Sequence, residues 1–267
     1  MIKRPKRLVL IGRSLGHSLS PTFQNAALQQ AKLPQRYELL DIPASAIDAT
    51  LEELASQDAA GNVTVPYKQE VFTRSDRLMP PAKRAGAVNT FWFERGELIG
   101  DNTDVAGFQA AARQLLQVEP RGITIGVLGA GGAASAVLAA IESWKECRVL
   151  VHNRTRERGE ALCARFPSIA QPSDDEQLAR EADLVVNATT VGLRDAALPI
   201  DPSRLRPTAM ALDLVYRRGE TPWVHAVRAR GLRAMDGLVM LIEQGAAAFE
   251  RWFGFAPDRD AMWRAVQ

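Results

Sequence analysis

The segment Ile123–Ala134, ITIGVLGAGGAA, constrains this chain more than any other. An apolar β-type run, Ile123 to Leu128, enters a glycine turn (Gly129, Gly131, Gly132) and leaves as an alanine-rich helix. Glycines let a backbone come close to a ligand. The helix N-terminus adds free N–H groups and the positive end of its dipole. A dinucleotide pyrophosphate needs that combination. About 20 residues further on, a protein that binds NAD places Asp or Glu against the ribose 2′-hydroxyl. Here the next strand candidate runs CRVLVHNRT, Cys147–Thr155, and ends on Asn153, Arg154 and Thr155. A cation at that point suits a 2′-phosphate, so the spacing predicts NADP rather than NAD.

At 267 residues the chain is long for a single core, and two domains are expected. Its 33 basic and 31 acidic residues leave a net charge of +2, too close to balance to suggest nucleic acid. The basic start MIKRPKR reads as a solvated lead-in to the first strand. Neither a secretory signal nor a membrane-spanning run is expected, because the apolar stretch after that start is only Leu8–Ile11. Cys147 and Cys163 lack metal-ligand spacing and form no disulfide framework. A reducing cytoplasm and the absence of a metal centre are therefore the expectations.

Strand and helix signals alternate, which predicts an α/β protein. Lys6–Ile11 reads as a strand, followed by a helix over Pro21–Ala31 with Ser20 as its cap. Tyr37–Asp41 is a strand and Ala44–Ala55 a helix. Asn62–Val65 is a short strand stopped by Pro66, and a helix starts near Lys68. Ala87–Phe93 and Glu97–Gly100 form a hairpin. After a helix over Val105–Gln117 the pattern restarts, with strands at Thr124–Leu128, Arg148–His152, Leu184–Ala188, Ala209–Leu214 and Leu232–Met235. Such spacing builds an open parallel sheet. The last helix runs from Leu238 to about Trp252, with Leu238, Leu241, Ile242, Gly245, Ala248, Phe249 and Trp252 on one buried face.

Four segments before the glycine turn are more polar than plain loops need to be. Ser18 and Ser20 stand two apart after the first strand, although Ser20 alone also fits a capping role. In NVTVPYK, Asn62 and Thr64 share one strand face opposite Val63 and Val65, and Lys68 follows just past Pro66. In GAVNT, Asn89 interrupts an apolar strand, where asparagine is disfavoured. It is therefore either exposed at an edge or bonded to a ligand. The fourth segment, Asp101-Asn102-Thr103-Asp104, falls where the first half gives way to the second. A substrate domain facing a nucleotide domain across a cleft would present polar strand ends in this way.

The strings HSLSPTFQN, NVTVPYK, GAVNT, DNTDVAGF, GAGGAA, NRT, NATTVG, DLVY and GLVMLIEQGAAAFERW occur in the order of the shikimate dehydrogenase family, which this chain resembles over nearly its whole length. The resemblance implies an N-terminal α/β substrate domain, residues 1–104. It implies a Rossmann-type doubly wound NADP domain over residues 105–237, and a C-terminal helix that returns residues 238–267 to the substrate domain. It implies reversible reduction of 3-dehydroshikimate to shikimate by NADPH in aromatic amino-acid biosynthesis. By the same resemblance Ser18, Ser20, Thr64, Asn89, Tyr216 and Gln244 bind substrate, and Lys68 and Asp104 form the catalytic pair. Gly129, Ala130, Gly131, Gly132 and Ala133 hold the pyrophosphate, while Asn153, Arg154, Thr155 and Arg158 hold the 2′-phosphoadenosine. Leu214 and Gly237 lie at the nicotinamide end. The partners implied are a small-molecule substrate, no nucleic acid and no membrane, and a homodimer is the assembly considered.

One position departs from the family pattern. The family usually reads SPxxHN, whereas this chain has Ser20-Pro21-Thr22-Phe23-Gln24-Asn25. Gln24 donates and accepts hydrogen bonds but does not titrate near neutrality. Were the histidine structural, little would change; were it tuning the pocket, quinate or aminoshikimate would become the rival substrate. A rival of another class is a non-catalytic NADP sensor, which would have no need of Lys68 and Asp104 together.

Overall fold

A computed structural model describes residues 4–267, so Met1–Lys3 of the basic lead-in lie outside the described residues. The chain divides into two compact units. One runs through Gly107 and resumes over Leu241–Gln267; the other is Phe108–Met240.

The first unit contains β1 (Arg7–Gly12), α1 (Ser20–Gln30), β2 (Tyr37–Asp41), α2 (Ile47–Ser56), β3 (Ala59–Val63), α3 (Lys68–Arg74), β4 (Arg77–Leu78), α4 (Pro80–Ala85), β5 (Thr90–Glu94) and β6 (Glu97–Asp101). Its sheet is mixed, in the order β2-β1-β3-β5-β6-β4. β1 runs parallel to β2 and β3, whereas β5 reverses against β3 and β6 reverses again. Register decides what this achieves. Ile11 pairs with Val63, Asn62 with Thr90, and Thr90 with Asp101. The ends of β1, β3 and β6 and the start of β5 therefore meet at one end of the sheet, and the four polar segments lie there together.

The helix α5 (Asp104–Leu116) leads into the second unit. There follow β7 (Thr124–Leu128), α6 (Gly132–Ile141), β8 (Arg148–His152), α7 (Arg156–Ala164), β9 (Ala170–Pro172), α8 (Asp175–Glu181), β10 (Leu184–Asn187), β11 (Met210–Asp213), α9 (Pro222–Ala229) and β12 (Arg233–Met235). The six strands are all parallel, in the order β12-β11-β10-β7-β8-β9. Strand order changes direction between β7 and β10, the switch point at which such sheets bind nucleotides. β7, β8 and β10 are apolar runs buried on both faces, as helix-covered parallel strands require.

The chain then returns through α10 (Leu238–Phe253) and α11 (Arg259–Val266). Ile242, Ala246, Phe249 and Trp252 pack against Leu8, Phe23 and Tyr37 of the first unit. Each large side chain buried this way stabilises by about 1.5–3 kcal/mol relative to exposure, which keeps α10 on its own unit's sheet.

Several local expectations are corrected. Ser20 is the first helical residue of α1 and not its cap: Leu19 already has helical φ and ψ. Ser18 Oγ instead accepts from the Ser20 N–H at 3.2 Å. The helix expected from Ala44 opens as a 3-10 turn over Ala44–Ala46. β3 begins and ends earlier than expected, so Val63 is buried while Val65 is exposed. A further helix, α11, follows the last one expected; it is only eight residues long, and Met262, Trp263 and Val266 pack it on the first unit's core. It is capped by Asp258, whose carboxylate accepts from the Ala261 N–H at 2.9 Å.

Cys147 and Cys163 are free and buried, and burial pushes the Cys163 thiol up to about 11. The thiolate is the reactive form. In native buffer near pH 8, neither cysteine should react with an aromatic disulfide reagent within minutes, and both should react after unfolding in urea. Rapid modification of the folded chain would contradict this placement.

Candidate active site

Lys68 opens α3 after the loop that leaves β3, and Asp104 opens α5 after Asn102 and Thr103, the two residues that follow β6. Lys68 Nζ donates to Asp104 Oδ2 at 2.6 Å, with both side chains largely buried. A charge-assisted bond this short is among the stronger side-chain contacts available to a protein.

Asn89 organises the groups around that pair. It lies one residue before β5, is 2 % exposed, and spends its whole amide inside the protein. Nδ2 donates to Asp104 Oδ1 at 2.8 Å and to Gln244 Oε1 at 3.2 Å. Oδ1 accepts from Thr103 N at 2.7 Å and from Thr103 Oγ1 at 3.1 Å. Its main chain joins the same frame, with Asn89 N donating to Asp101 O and Asn89 O accepting from Val63 N. Of the two alternatives read from the sequence, the exposed edge does not hold: Asn89 is buried and its amide is engaged by protein partners.

Asp104 is held from a third side, since its N–H donates to Asn102 Oδ1 at 3.1 Å and Asn102 Nδ2 donates to Ala87 O at 2.8 Å. Beneath these, Arg251 of α10 pairs with the buried Asp101 at 2.8 Å. Gln244 is buried on α10 and donates to Leu241 O at 2.8 Å. Thr64 follows β3, with its N–H on Ile11 O. Lys68, Asp104, Asn89 and Gln244 thus form one bonded cluster. Ser18, Ser20 and Thr64 sit beyond β1 and β3 at the same end of the sheet, outside the chain of bonds. Tyr216 belongs to the second unit, in the segment after β11.

In the second unit Gly129 turns the chain at φ +112°, a conformation that side chains resist. An added Cβ would also meet Ala188 O at 3.0 Å. Gly131 caps α6 without any side-chain bond, and a Cβ there would meet nothing within 4 Å. The first-turn N–H groups of Gly132, Ala133 and Ala134 have no acceptor within the helix. Beside them, Gly129 N bonds His152 O, which places the end of β8 next to the glycine turn. Asn153 Nδ2 folds back onto Thr155 O at 2.7 Å. In the charged run that follows, Arg156 is paired with Glu160, whereas Arg154 and Arg158 are exposed and have no ion-pair partner among the described residues. Open backbone donors beside two uncommitted guanidinium groups fit a pyrophosphate and a 2′-phosphate respectively.

Two further buried side chains, outside the residues expected from the sequence, stand at the same carboxyl end of this sheet, since Asn187 is in register with Leu128. Asn187 and Asp213 end β10 and β11 side by side, Asn187 Nδ2 donating to Asp213 Oδ1 at 2.8 Å. Asn187 Oδ1 fixes Thr189, while Asp213 accepts from Val215 N and Thr221 Oγ1. Burial raises the Asp213 carboxyl above its ordinary range, and its bonds to Thr221, Val215 and Asn187 oppose that shift. Just beyond, Gly237 packs so closely on Leu214 that a Cβ would lie 2.3 Å from the Leu214 carbonyl oxygen. The available sequence signal was a polar residue closing an apolar run, VVN and ALD.

An α/β protein with a nucleotide-type parallel sheet, and with a polar lysine–aspartate site on a separate sheet, has the parts of a dinucleotide-dependent enzyme. Comparison with known proteins narrows the class. The family model for the shikimate dehydrogenase substrate binding domain matches residues 10–91. That for shikimate / quinate 5-dehydrogenase matches residues 110–194, and that for the shikimate 5′-dehydrogenase C-terminal domain matches residues 237–267. The chain is 35% identical over 264 residues to the NADP(+) shikimate dehydrogenase of Geobacillus kaustophilus, covering 96% of each. Shikimate 5-dehydrogenase of Thermus thermophilus, solved in complex with NADP(H) and shikimate, is 39% identical with a TM-score of 0.88, over 97% of this chain and 98% of that one. The enzyme of Aquifex aeolicus is 32% identical with a TM-score of 0.91, over 100% of both chains. The chain belongs to the shikimate dehydrogenase family.

Replacing Asn89 by Asp tests the amide's place in the cluster. The new carboxylate would face Asp104 Oδ1 and Gln244 Oε1, both acceptors, and lose two donated bonds. Folding then favours the protonated acid, so its folded pKa lies above its unfolded value. The sign follows: the variant's stability falls relative to wild type as pH rises through that window. Urea unfolding at about pH 5 and about pH 8 should show the larger deficit at the higher pH, and an equal deficit at both would refute the arrangement.

Proposed function

We propose that this chain catalyses the NADPH-dependent, reversible reduction of 3-dehydroshikimate to shikimate, as its NADP(+)-dependent relatives are named for doing. The observation that carries the reading is the buried Lys68–Asp104 pair, held by Asn89 at the end of the sheet that also presents Ser18, Ser20 and Thr64. NADP(H), when bound, supplies or accepts the hydride. The protein's own task is the proton. As hydride reaches the ketone carbon, the Lys68 ammonium donates a proton to the developing alkoxide oxygen; in the reverse direction the neutral amine takes it back. Both carboxylate oxygens of Asp104 are already bonded, one to Lys68 and one to Asn89. Its part is therefore to aim Lys68 and to accept from a substrate hydroxyl.

Ser18, Ser20, Thr64, Asn89 and Gln244, with Tyr216 from the second unit, are the proposed ligands of the substrate's hydroxyls and carboxylate. Positions 129–133 are the proposed pyrophosphate cradle, and Asn153, Arg154, Thr155 and Arg158 the 2′-phosphoadenosine site. Leu214 and Gly237 are the residues proposed to meet the nicotinamide. The assembled ion pair speaks against a non-catalytic sensor. Gln24, the departure that raised quinate or aminoshikimate as rival substrates, is 1 % exposed and bonded to the main chain of α10, so it does not favour them over shikimate. A cytoplasmic setting belongs to the same reading and is supported by the two free thiols. Among the described residues no helix is long and apolar enough to cross a membrane. Homodimerisation belongs to this reading too, and sedimentation of the purified chain measures it.

Activity is tested by following NADPH formation with shikimate, quinate and aminoshikimate in parallel. Shikimate is expected to give the highest kcat/KM, and inactivity with all three would refute the proposal. Lys68→Ala should lower kcat by about 10²-fold or more, the scale of a positioned acid–base group; near-wild-type turnover would remove Lys68 from that role.

Cofactor choice is tested separately. The wild type should prefer NADP to NAD. Arg154→Ala should cost NADP efficiency roughly 10- to 100-fold, the value of a charge-assisted bond of about 1.5–3 kcal/mol, while leaving NAD efficiency nearly unchanged. Equal use of both cofactors by the wild type would overturn the phosphate assignment.

A further inference from the structure

Gln24 is the position at which the chain leaves its family's pattern, and its surroundings do not resemble those of a residue kept for stability. It lies in α1 with its side chain 1 % exposed. Nε2 donates to the carbonyl oxygen of Gly245 in α10 at 2.9 Å. Its other amide atom, Oε1, is buried and has no hydrogen-bond partner among the described residues. A buried acceptor left unpaired costs about as much as one good bond contributes. An apolar side chain of the same length would therefore serve folding as well or better. What only the glutamine supplies is the donor aimed at Gly245.

That donor reaches the site in four steps. The two helices approach so closely at Gly245 that a Cβ there would lie 2.4 Å from the Phe23 ring and 3.2 Å from Gln24 Nε2. The residue before it, Gln244, accepts from Asn89, Asn89 donates to Asp104, and Asp104 holds Lys68. A helix carbonyl retains a second lone pair after serving its own ladder, and Gln24 occupies the one at Gly245. It thereby restrains the turn of α10 that presents Gln244.

We propose that Gln24 is a positioning residue for substrate: through Gly245 it holds Gln244 in the register at which Gln244 meets both Asn89 and the substrate. The inference rests on the proposed function, since it takes Gln244 as a substrate ligand. Gln24 itself touches no substrate; it acts through the main chain of α10, so it sets affinity and not the choice among polyols.

The test is Gln24→Met, which keeps length and volume but removes the donor and the orphaned acceptor together. Calorimetric titration with shikimate, without cofactor, should give a Kd raised about 5- to 20-fold. KM for shikimate should rise in parallel, while kcat and KM for NADP stay within about twofold. The melting temperature should be equal or higher. Gln24→His restores a donor at this position and should recover most of the affinity. An unchanged Kd in folded Gln24→Met would overturn the proposal. So would a lower melting temperature or failure to fold, because either makes Gln24 a structural residue. Wild-type protein that neither binds nor oxidises shikimate would refute the underlying reading instead. That result is distinct from one in which wild type binds and the variant binds equally well.

Discussion

The site depends on a single buried amide. Asn89 has two hydrogens and one carbonyl oxygen, and the structure uses all of them, on Asp104, Gln244 and Thr103. Only one orientation satisfies this, because the flipped amide would set its oxygen against two acceptors and its hydrogens against a donor. Removing Lys68 and Asp104 from water is costly, and such a pair is tolerated only where the remaining polar atoms are also bonded. Asn89 meets that condition for the Asp104 carboxylate, and Asn102 accepts from the Asp104 main-chain N–H. The lysine is consequently held at one geometry and does not wander as a surface cation would.

The second unit solves a similar problem by different means. Its proposed phosphate site consists of backbone donors and two arginines without ion-pair partners among the described residues, so little side-chain ordering is needed there. Specific side-chain bonding is concentrated at Asn187 and Asp213, which end neighbouring strands and tie down the segments that follow. Asp213 is fully buried, and the three donors around it oppose the desolvation that raises its pKa. In both units a polar side chain at a strand end converts a rigid sheet into a defined loop.

Much of this was legible in the residues because it is local. β8 was read with its observed bounds, and β7 likewise, since an apolar run closed by glycine or a polar residue leaves few alternatives. The polar strand ends were also visible as candidates. What the sequence concealed was where bonds close over long separations. Asn89 and Gln244 lie 155 residues apart and Gln24 and Gly245 lie 221 apart, and no periodicity within either segment reports on the other. Helix starts went wrong for a related reason: Ser20 carries a capping side chain, yet Leu19 already adopts helical angles and moves the cap position upstream. The apolar face of α11, Met262, Trp263 and Val266, spans only two turns, too short a repeat to mark a helix in the sequence.

By itself the sequence determined an α/β chain with a strand–glycine turn–helix, an arginine just past the next strand, and a set of polar residues beyond the first strands. These follow from backbone conformation and side-chain chemistry within a few residues. Which of the polar residues act together was decided only by the fold. Two antiparallel reversals in the first sheet bring the start of β5 and the end of β6 beside the end of β3, and α10 returns from the far end of the chain to supply Gln244. Strand register and helix packing are non-local, so whether Asn89 lay at an edge or organised the site could be answered only once its protein partners were in place.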